Sequence, residues 1–235
     1  MIAIFKREFK SYFHNLTGFV FIAVYLLALG FFVSSYNLKY ANSSITYALS
    51  DMSLAMIVVT PIITMRVISG DRRSGASKLL YSLPISSSEI VLGKYSALIA
   101  VFAIPTAATA LVPLLLNFFG DINFVSSYGA LTAFFLFGMA IISICTFISS
   151  LSDNIVVCGI VSYITLIFLY FANAVTALLP EGSVWAEILS FISLFGAFDK
   201  FIYGIFDLKA VIYYISLTVI FVFLTVRSVE KKRFA

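Results

Sequence analysis

Apolar residues in this chain gather into six long runs, separated by short polar breaks. Before the first run, residues 2–14 carry a helical period. Ile2, Phe5, Phe9, Tyr12 and Phe13 fall on one face; Arg7, Lys10, Ser11 and His14 fall on the other, and Ile4 is off the pattern. A basic-faced, aromatic-rich helix ahead of a span suits the headgroup layer. The first span, 16–36, carries no charge. About 20 residues rising ~1.5 Å each cover ~30 Å, the thickness of the hydrocarbon core. The run is too long for a cleaved signal and ends without a small-x-small site.

The second span, 48–68, centres on the apolar stretch between Asp51 and Arg66. Arg66 is expected to snorkel, and Pro61 predicts a kink. The third, 87–119, contains Pro105 and Pro113, which predict bending. The fourth covers 126–150. The fifth, 154–179, is capped by Asp153 or Asn154 and carries Asn173 near its far end. The sixth, 208–228, is capped by Asp207 and leads into a basic tail. Between spans five and six, residues 184–206 hold an apolar run too short to cross, which predicts a re-entrant or interfacial segment with Trp185 as an interface anchor. The fold class is an all-α polytopic membrane protein made of one unit, residues 1–235.

The longest polar interruption is 66–94, which holds five of the fifteen Lys and Arg residues. Within it, 71–82 predicts a short helix. Arg72, Ala76, Leu79 and Leu80 share one side; Asp71, Ser74, Ser77, Lys78 and Ser82 share the other, and Pro84 ends it. Ser86 and Glu89 then form a capping box that starts a helix continuous with span three. The interruption is too long for a turn and too short for a domain, so a partner is expected to dock there.

Composition agrees with the pattern. The chain is 62% hydrophobic and 11% charged, with mean hydropathy +1.08. Soluble domains carry about 25% charged residues, so the principal solvent is a lipid bilayer. The net charge of +4 does not indicate nucleic acid, because its placement explains it. Six spans put both termini on one side. Of fifteen basic residues, only Lys39, Lys200 and Lys209 fall on the other side, and the positive side faces the cytoplasm. Cys145 and Cys158 lie in apolar runs without metal-ligand spacing and read as packing residues.

Several chemistries have no residues to carry them. The apolar centres of the spans, 52–65 for the second and 95–119 for the third, bear no Asp, Glu, Lys, Arg or His, which argues against ion-coupled transport. Gly93-Lys94 is followed by Tyr95, so no phosphate-binding loop is formed. HExxH, GxSxG and paired carboxylates in a shared cleft are missing from the sequence. A non-enzymatic membrane chain with a docking-sized loop suggests a borrowed motor.

Three segments carry a resemblance: Asp71 through Leu80, then Leu83-Pro84-Ile85-Ser86, then Ile90-Val91-Leu92-Gly93-Lys94. A second block includes Leu194 through Phe201 and Gly204 through Leu208. With these the chain resembles ABC-2 type ABC transporter permeases over nearly its whole length, in particular the branch of gliding-motility (GldF) and copper-enzyme maturation (NosY) permeases. Ala76 and Lys78 stand where that family usually has Thr and Glu. The resemblance implies an elbow helix, six spans, a coupling helix between spans two and three, and a re-entrant hairpin on the outer side. It implies a permease subunit, an exporter by family, in a bacterial cytoplasmic membrane with both termini inside. Its partners would be two copies of a cytoplasmic ABC ATPase carrying ATP and Mg, and a second permease, identical or paralogous. An extracytoplasmic auxiliary protein would join if the complex works on envelope or surface components instead of moving a solute. No cofactor is expected on this chain itself.

The docking residues implied are Asp71, Arg72, Arg73, Gly75, Leu79 and Leu80 on the coupling helix, with Asp153 and Asn154 on the second turn. Ser86 and Glu89 cap the lever. Asn173 is expected to be a pore-facing or interhelical polar contact.

Overall fold

A computed structural model describes residues 1–40, 44–77, 80, 85–118, 120–176, 193–202 and 207–233. Among these, all regular structure is helical. Helix α1 is Ile2–His14. Helix α2, Thr17–Val33, continues through a π turn at Ser34–Leu38. Helix α3, Thr46–Thr64, is followed after one turn by α4, Ser69–Arg73. Helix α5, Ser87–Thr109, is followed by α6, Val112–Leu116; α7 is Phe124–Leu151 and α8 is Ile155–Thr176. Helix α9 is Leu194–Ile202 and α10 is Leu208–Arg233. Six stretches are long and apolar enough to cross a membrane: Thr17–Leu38, Thr46–Arg73, Ser87–Leu116, Phe124–Leu151, Ile155–Ala172 and Leu208–Arg233. Six antiparallel crossings bring α1 and the end of α10 to one face, called here the terminal face.

Local chemistry sets several boundaries. Asn123 accepts from Ser126 N (3.2 Å) at the start of α7, and Asp207 accepts from Lys209 N (2.9 Å) at the start of α10. Asn154 Oδ1 accepts from Val156 N (3.0 Å) at the start of α8. Of the two expected caps there, Asn154 therefore serves, and Asp153 is left for other work. Pro113 interrupts the third crossing, since it cannot donate a helical hydrogen bond; the chain loosens at Ala110 and Leu111 and restarts as α6. Pro61 and Pro105 are accommodated inside α3 and α5.

Helices α3 and α7 form the interior, and α7 packs against α3, α5, α8, α9 and α10. Much of the phenylalanine content is packed here. Tyr25 lies between Phe102 and Phe134, with ring centroids 6.2 and 6.3 Å away, and Phe102 stacks on Phe135 at 5.6 Å. Gly138 makes room for Phe102: a Cβ there would lie 2.3 Å from the ring. Several buried threonine hydroxyls turn back onto their own helices, as Thr106 does to Phe102 O (2.9 Å) and Thr146 to Ile142 O (2.6 Å). They therefore cost little in a nonpolar interior. Leu27, Phe31, Ile164, Phe168, Ile212 and Val219 stay exposed on α2, α8 and α10, as lipid-facing residues do.

The short α9 buries Leu194, Phe195, Phe198 and Phe201. Phe198 contacts Phe134 and Phe137, and Tyr214 OH donates to Leu194 O at 2.9 Å. These partners lie in the halves of α7 and α10 remote from the terminal face, so α9 sits within the opposite half of the bundle. The rest of the predicted 184–206 segment, Trp185 included, falls outside the described residues apart from Ser193.

Three expectations need correction. Ile4, set off the pattern of α1, belongs to the face that the helix buries, with Glu8 and Tyr12. The phenylalanines run alongside, half-buried and stacked on one another. The basic tail expected after residue 228 is not separate from the last helix, because α10 stays helical to Arg233. The helix expected over 71–82 is not continuous either. α4 stops at Arg73, and Gly75 adopts φ +75°, a left-handed conformation that ends helices and favours glycine.

Filling the space under Phe102 should be costly. Gly138→Val is expected to destabilise the protein by about 1–3 kcal/mol through overpacking, read as a lower unfolding temperature in detergent. Adding Phe102→Leu should restore part of the loss.

Candidate functional site

The terminal face is held by two knots of charge. In the first, Lys94 lies on the second turn of α5 and is only 3% exposed. Its Nζ donates to Val67 O (2.7 Å) and to Glu8 Oε1 (3.2 Å), and sits 2.6 Å from Asp71 Oδ2. The last contact is ionic: no well-angled hydrogen bond reaches that oxygen. Arg7 adds contacts to Glu8 and, at 3.5 Å, to Asp71. One ammonium thereby joins the elbow helix, the end of the second crossing and the start of the third. Burial and then the charges of Glu8 and Asp71 push the Tyr12 hydroxyl well above its usual pKa. It stays neutral and donates to Ile63 O (3.4 Å).

The elbow helix reaches this position because Gly93 allows it. A Cβ on Gly93 would lie 3.0 Å from Ile4 Cβ. Beside this contact Ile4, Leu80 and Ile90 form a small buried cluster, with Ile85 packed on it.

The second knot closes the end of α7. Ser149 Oγ accepts from Ile68 N and Ser69 N (both 3.3 Å) and donates to Met65 O (3.2 Å), stitching the turn between α3 and α4. Arg72 Nη1 donates to Ser150 O (2.6 Å) and Asp153 Oδ1 (3.2 Å). Lys232 Nζ donates to Leu151 O (2.9 Å) and to the same Asp153 oxygen (3.3 Å). Partial burial pulls the Asp153 pKa upward, but the hydrogen bonds and charges of Lys232 and Arg72 outweigh it and hold the carboxyl below its usual value.

The start of α5 is a full capping box. Glu89 N donates to Ser86 Oγ (3.3 Å), and Ser86 N donates to Glu89 Oε2 (3.4 Å). The chain's amino terminus lies 3.6 Å from Glu89 Oε1, and Arg233 Nη1 donates to Ile85 O (2.6 Å).

The residues singled out from sequence thus separate into groups. Asp71, Arg72 and Asp153 are internal ties, Asn154 is a cap, and Ser86 with Glu89 form the expected box. Leu80 points into the protein, 5% exposed. Arg73 is exposed, and Gly75 is half-buried. Lys78, Leu79 and the side chain of Asn173 lie outside the described residues. Sequence reasoning missed Glu8 and the inward role of Lys94. The available signal was that Glu8, the sole acid of a basic helix, shares a face with Ile4 and Tyr12. The spans are also not free of charge, since Lys94 enters the third crossing buried.

Six apolar crossings, an amphipathic elbow and a charge-tied terminal face define a polytopic α-helical membrane protein with a preassembled non-spanning platform. The family model for ABC-2 family transporter proteins matches residues 2–230. The chain belongs to that family, whose members are the membrane permease subunits of ABC transporters, working with an ATP-binding subunit and another permease. Comparison with curated proteins gives no match.

Two outcomes are expected. Lys94→Met leaves Glu8 and Asp71 without their shared cation and should destabilise the fold by about 3–5 kcal/mol, measured by thermal unfolding in detergent. Combining it with Glu8→Gln and Asp71→Asn should recover a substantial part. For Asp153, the folded pKa lies below the unfolded value of about 3.9. Its contribution is therefore complete above that value and declines as pH falls through the lower folded one. Asp153→Asn should flatten the acid limb of a stability-versus-pH curve and leave its neutral limb level.

Proposed function

We propose that this chain is the permease half of an ABC-2 exporter, with its terminal face in the cytoplasm of a bacterial cell and its spans in the plasma membrane. Two permeases, identical or paralogous, pair across the bilayer. Each receives force from a separate ATPase subunit that holds ATP and Mg. The observation that carries this reading is the rigid tie of segment 69–77 to the crossings. Asp71 is fixed to Lys94 on α5, and Arg72 to the end of α7.

The ATPase meets the outward side of that segment, at Arg73, Ser74, Gly75 and Ala76, together with Leu79 and the 151–154 turn. Asp71, Arg72 and Leu80 act from behind, passing the displacement on. A push on Arg73 would move the start of α5 as well as the end of α4, because one buried cation connects them. Closure of the ATPase pair would then tilt crossings two and three as units.

Pull-down from mild detergent tests this. The wild-type chain should retain an ABC ATPase. Arg73→Glu should weaken that association about tenfold or more, the scale of one lost charged contact, with an unchanged unfolding temperature. Leu80→Asp should instead lower the unfolding temperature. A wild-type permease purified as a stable pair without any ATPase, or an Arg73→Glu complex of normal assembly and turnover, would refute the docking assignment.

A further inference from the structure

We infer that the terminal face carries a binding site for a phospholipid headgroup, in the angle between the elbow helix and the second crossing. A cavity of about 160 Å³ opens there, lined by Glu8, Ser11, Asn15, Thr17, Arg66 and Asp71, among others. Its volume is roughly ten times the ~10–15 Å³ that a single water requires. It is a polar cavity at the corner where the chain turns from α1 into α2, the depth of the headgroup layer.

Charge decides the sign of the ligand. Glu8 and Asp71 are each held by Lys94 and Arg7. Three cations thus face two carboxylates, and Arg66 is the one left over. Among the described residues, Arg66 makes no ion pair or side-chain hydrogen bond, although it lines the cavity. Counted with Arg7 and Lys94, which pair with Glu8 and Asp71 from outside the cavity lining, the site carries one net positive charge, which matches a single phosphodiester anion. A planar guanidinium is suited to grip two phosphate oxygens. The hydroxyl of Ser11 and the amide of Asn15, joined at 3.1 Å, supply neutral polar groups for the rest of the headgroup.

The surroundings favour a lipid over a free anion. Leu16, which takes φ 57° at the corner, is 67% exposed, and Phe19 and Val20 follow it at 53% and 49%. These apolar side chains begin the lipid-facing side of α2 within a turn, along the chain, of Thr17 in the cavity lining. A phosphate seated on Arg66 would leave its acyl chains against them. The cavity walls come from α1, α2, the α3–α4 turn and α4, so the lipid would brace the elbow against the second crossing. This site stands on the cavity itself and does not depend on where the ATPase docks.

The test uses the full-length chain in neutral detergent, with unfolding temperature followed during titration. Short-chain phosphatidylglycerol should raise the midpoint in a saturable way. Arg66→Gln should weaken half-saturation about tenfold or more, as loss of one charged contact requires. Lys10→Gln, which removes an exposed cation of the elbow helix away from the cavity lining, should leave it unchanged. Short-chain diacylglycerol, with no phosphate, should have no comparable effect. A response to inorganic phosphate equal to that of the lipid would overturn the lipid assignment. An equal response to diacylglycerol, or equal weakening by both substitutions, would overturn the site.

Discussion

The terminal face depends on the burial of one ammonium, Lys94. An isolated charge in a low-dielectric interior costs several kcal/mol even after relaxation. That cost is offset only when opposite charge and hydrogen-bond acceptors surround it. Val67 O, Glu8 and Asp71 provide these from two separate segments, with Lys94 on a third. Removing any one segment exposes the others to an unbalanced charge. The elbow helix, the post-span turn and the third crossing therefore move together or not at all. A hydrophobic contact would hold these pieces with less directional demand, since burying apolar area has no preferred geometry.

That constraint reshapes the idea of a coupling element. A free-standing amphipathic helix, docked by its apolar side into a partner, would have left Leu80 available. Instead Leu80 plugs the seam between Ile4 and Ile90, and α4 ends at a left-handed Gly75. Among the described residues of this segment, Arg73 and Ser74 are the exposed ones. The Arg72, Asp153 and Lys232 knot adds a second attachment, anchoring the same segment to the end of α7 and to the last turns of α10. Force applied at the outward surface would meet a braced plate, with α7 as the helix shared by most of the bundle.

The membrane interior is built on a different principle. There threonine hydroxyls such as those of Thr106 and Thr146 close on their own helices, tyrosines such as Tyr95 and Tyr163 donate to carbonyls of neighbouring helices, and aromatic rings interlock around Tyr25, Phe102 and Phe134. Among the described residues, ion pairs concentrate on the terminal face, and shape-fitting of rings dominates the interior. The intrusion of α9 into the bundle follows this rule. Its four buried apolar residues replace lipid contact with ring contact, and the Tyr214 hydroxyl donates to Leu194 O at its first residue.

Much of this was legible in the chain. Six apolar runs, their length against a bilayer and the excess of lysine and arginine on one side determined the number of crossings and the placing of both ends together. The Ser86–Glu89 box and the Asn154 and Asp207 caps are local, because a cap involves only residues within a few positions. The partners of Lys94, by contrast, lie 86 and 23 positions away, and no periodicity in α5 announces them. The face by which α1 packs was decided by the same long-range demand: Glu8 had to reach Lys94, and Gly93 had to admit Ile4, which turned the phenylalanine stripe aside. Sequence thus determined which segments enter the membrane, since that follows from the solvent each segment prefers. Tertiary structure alone decided which charges meet, because burying a charge is resolved only by whatever the fold brings within about 3 Å of it.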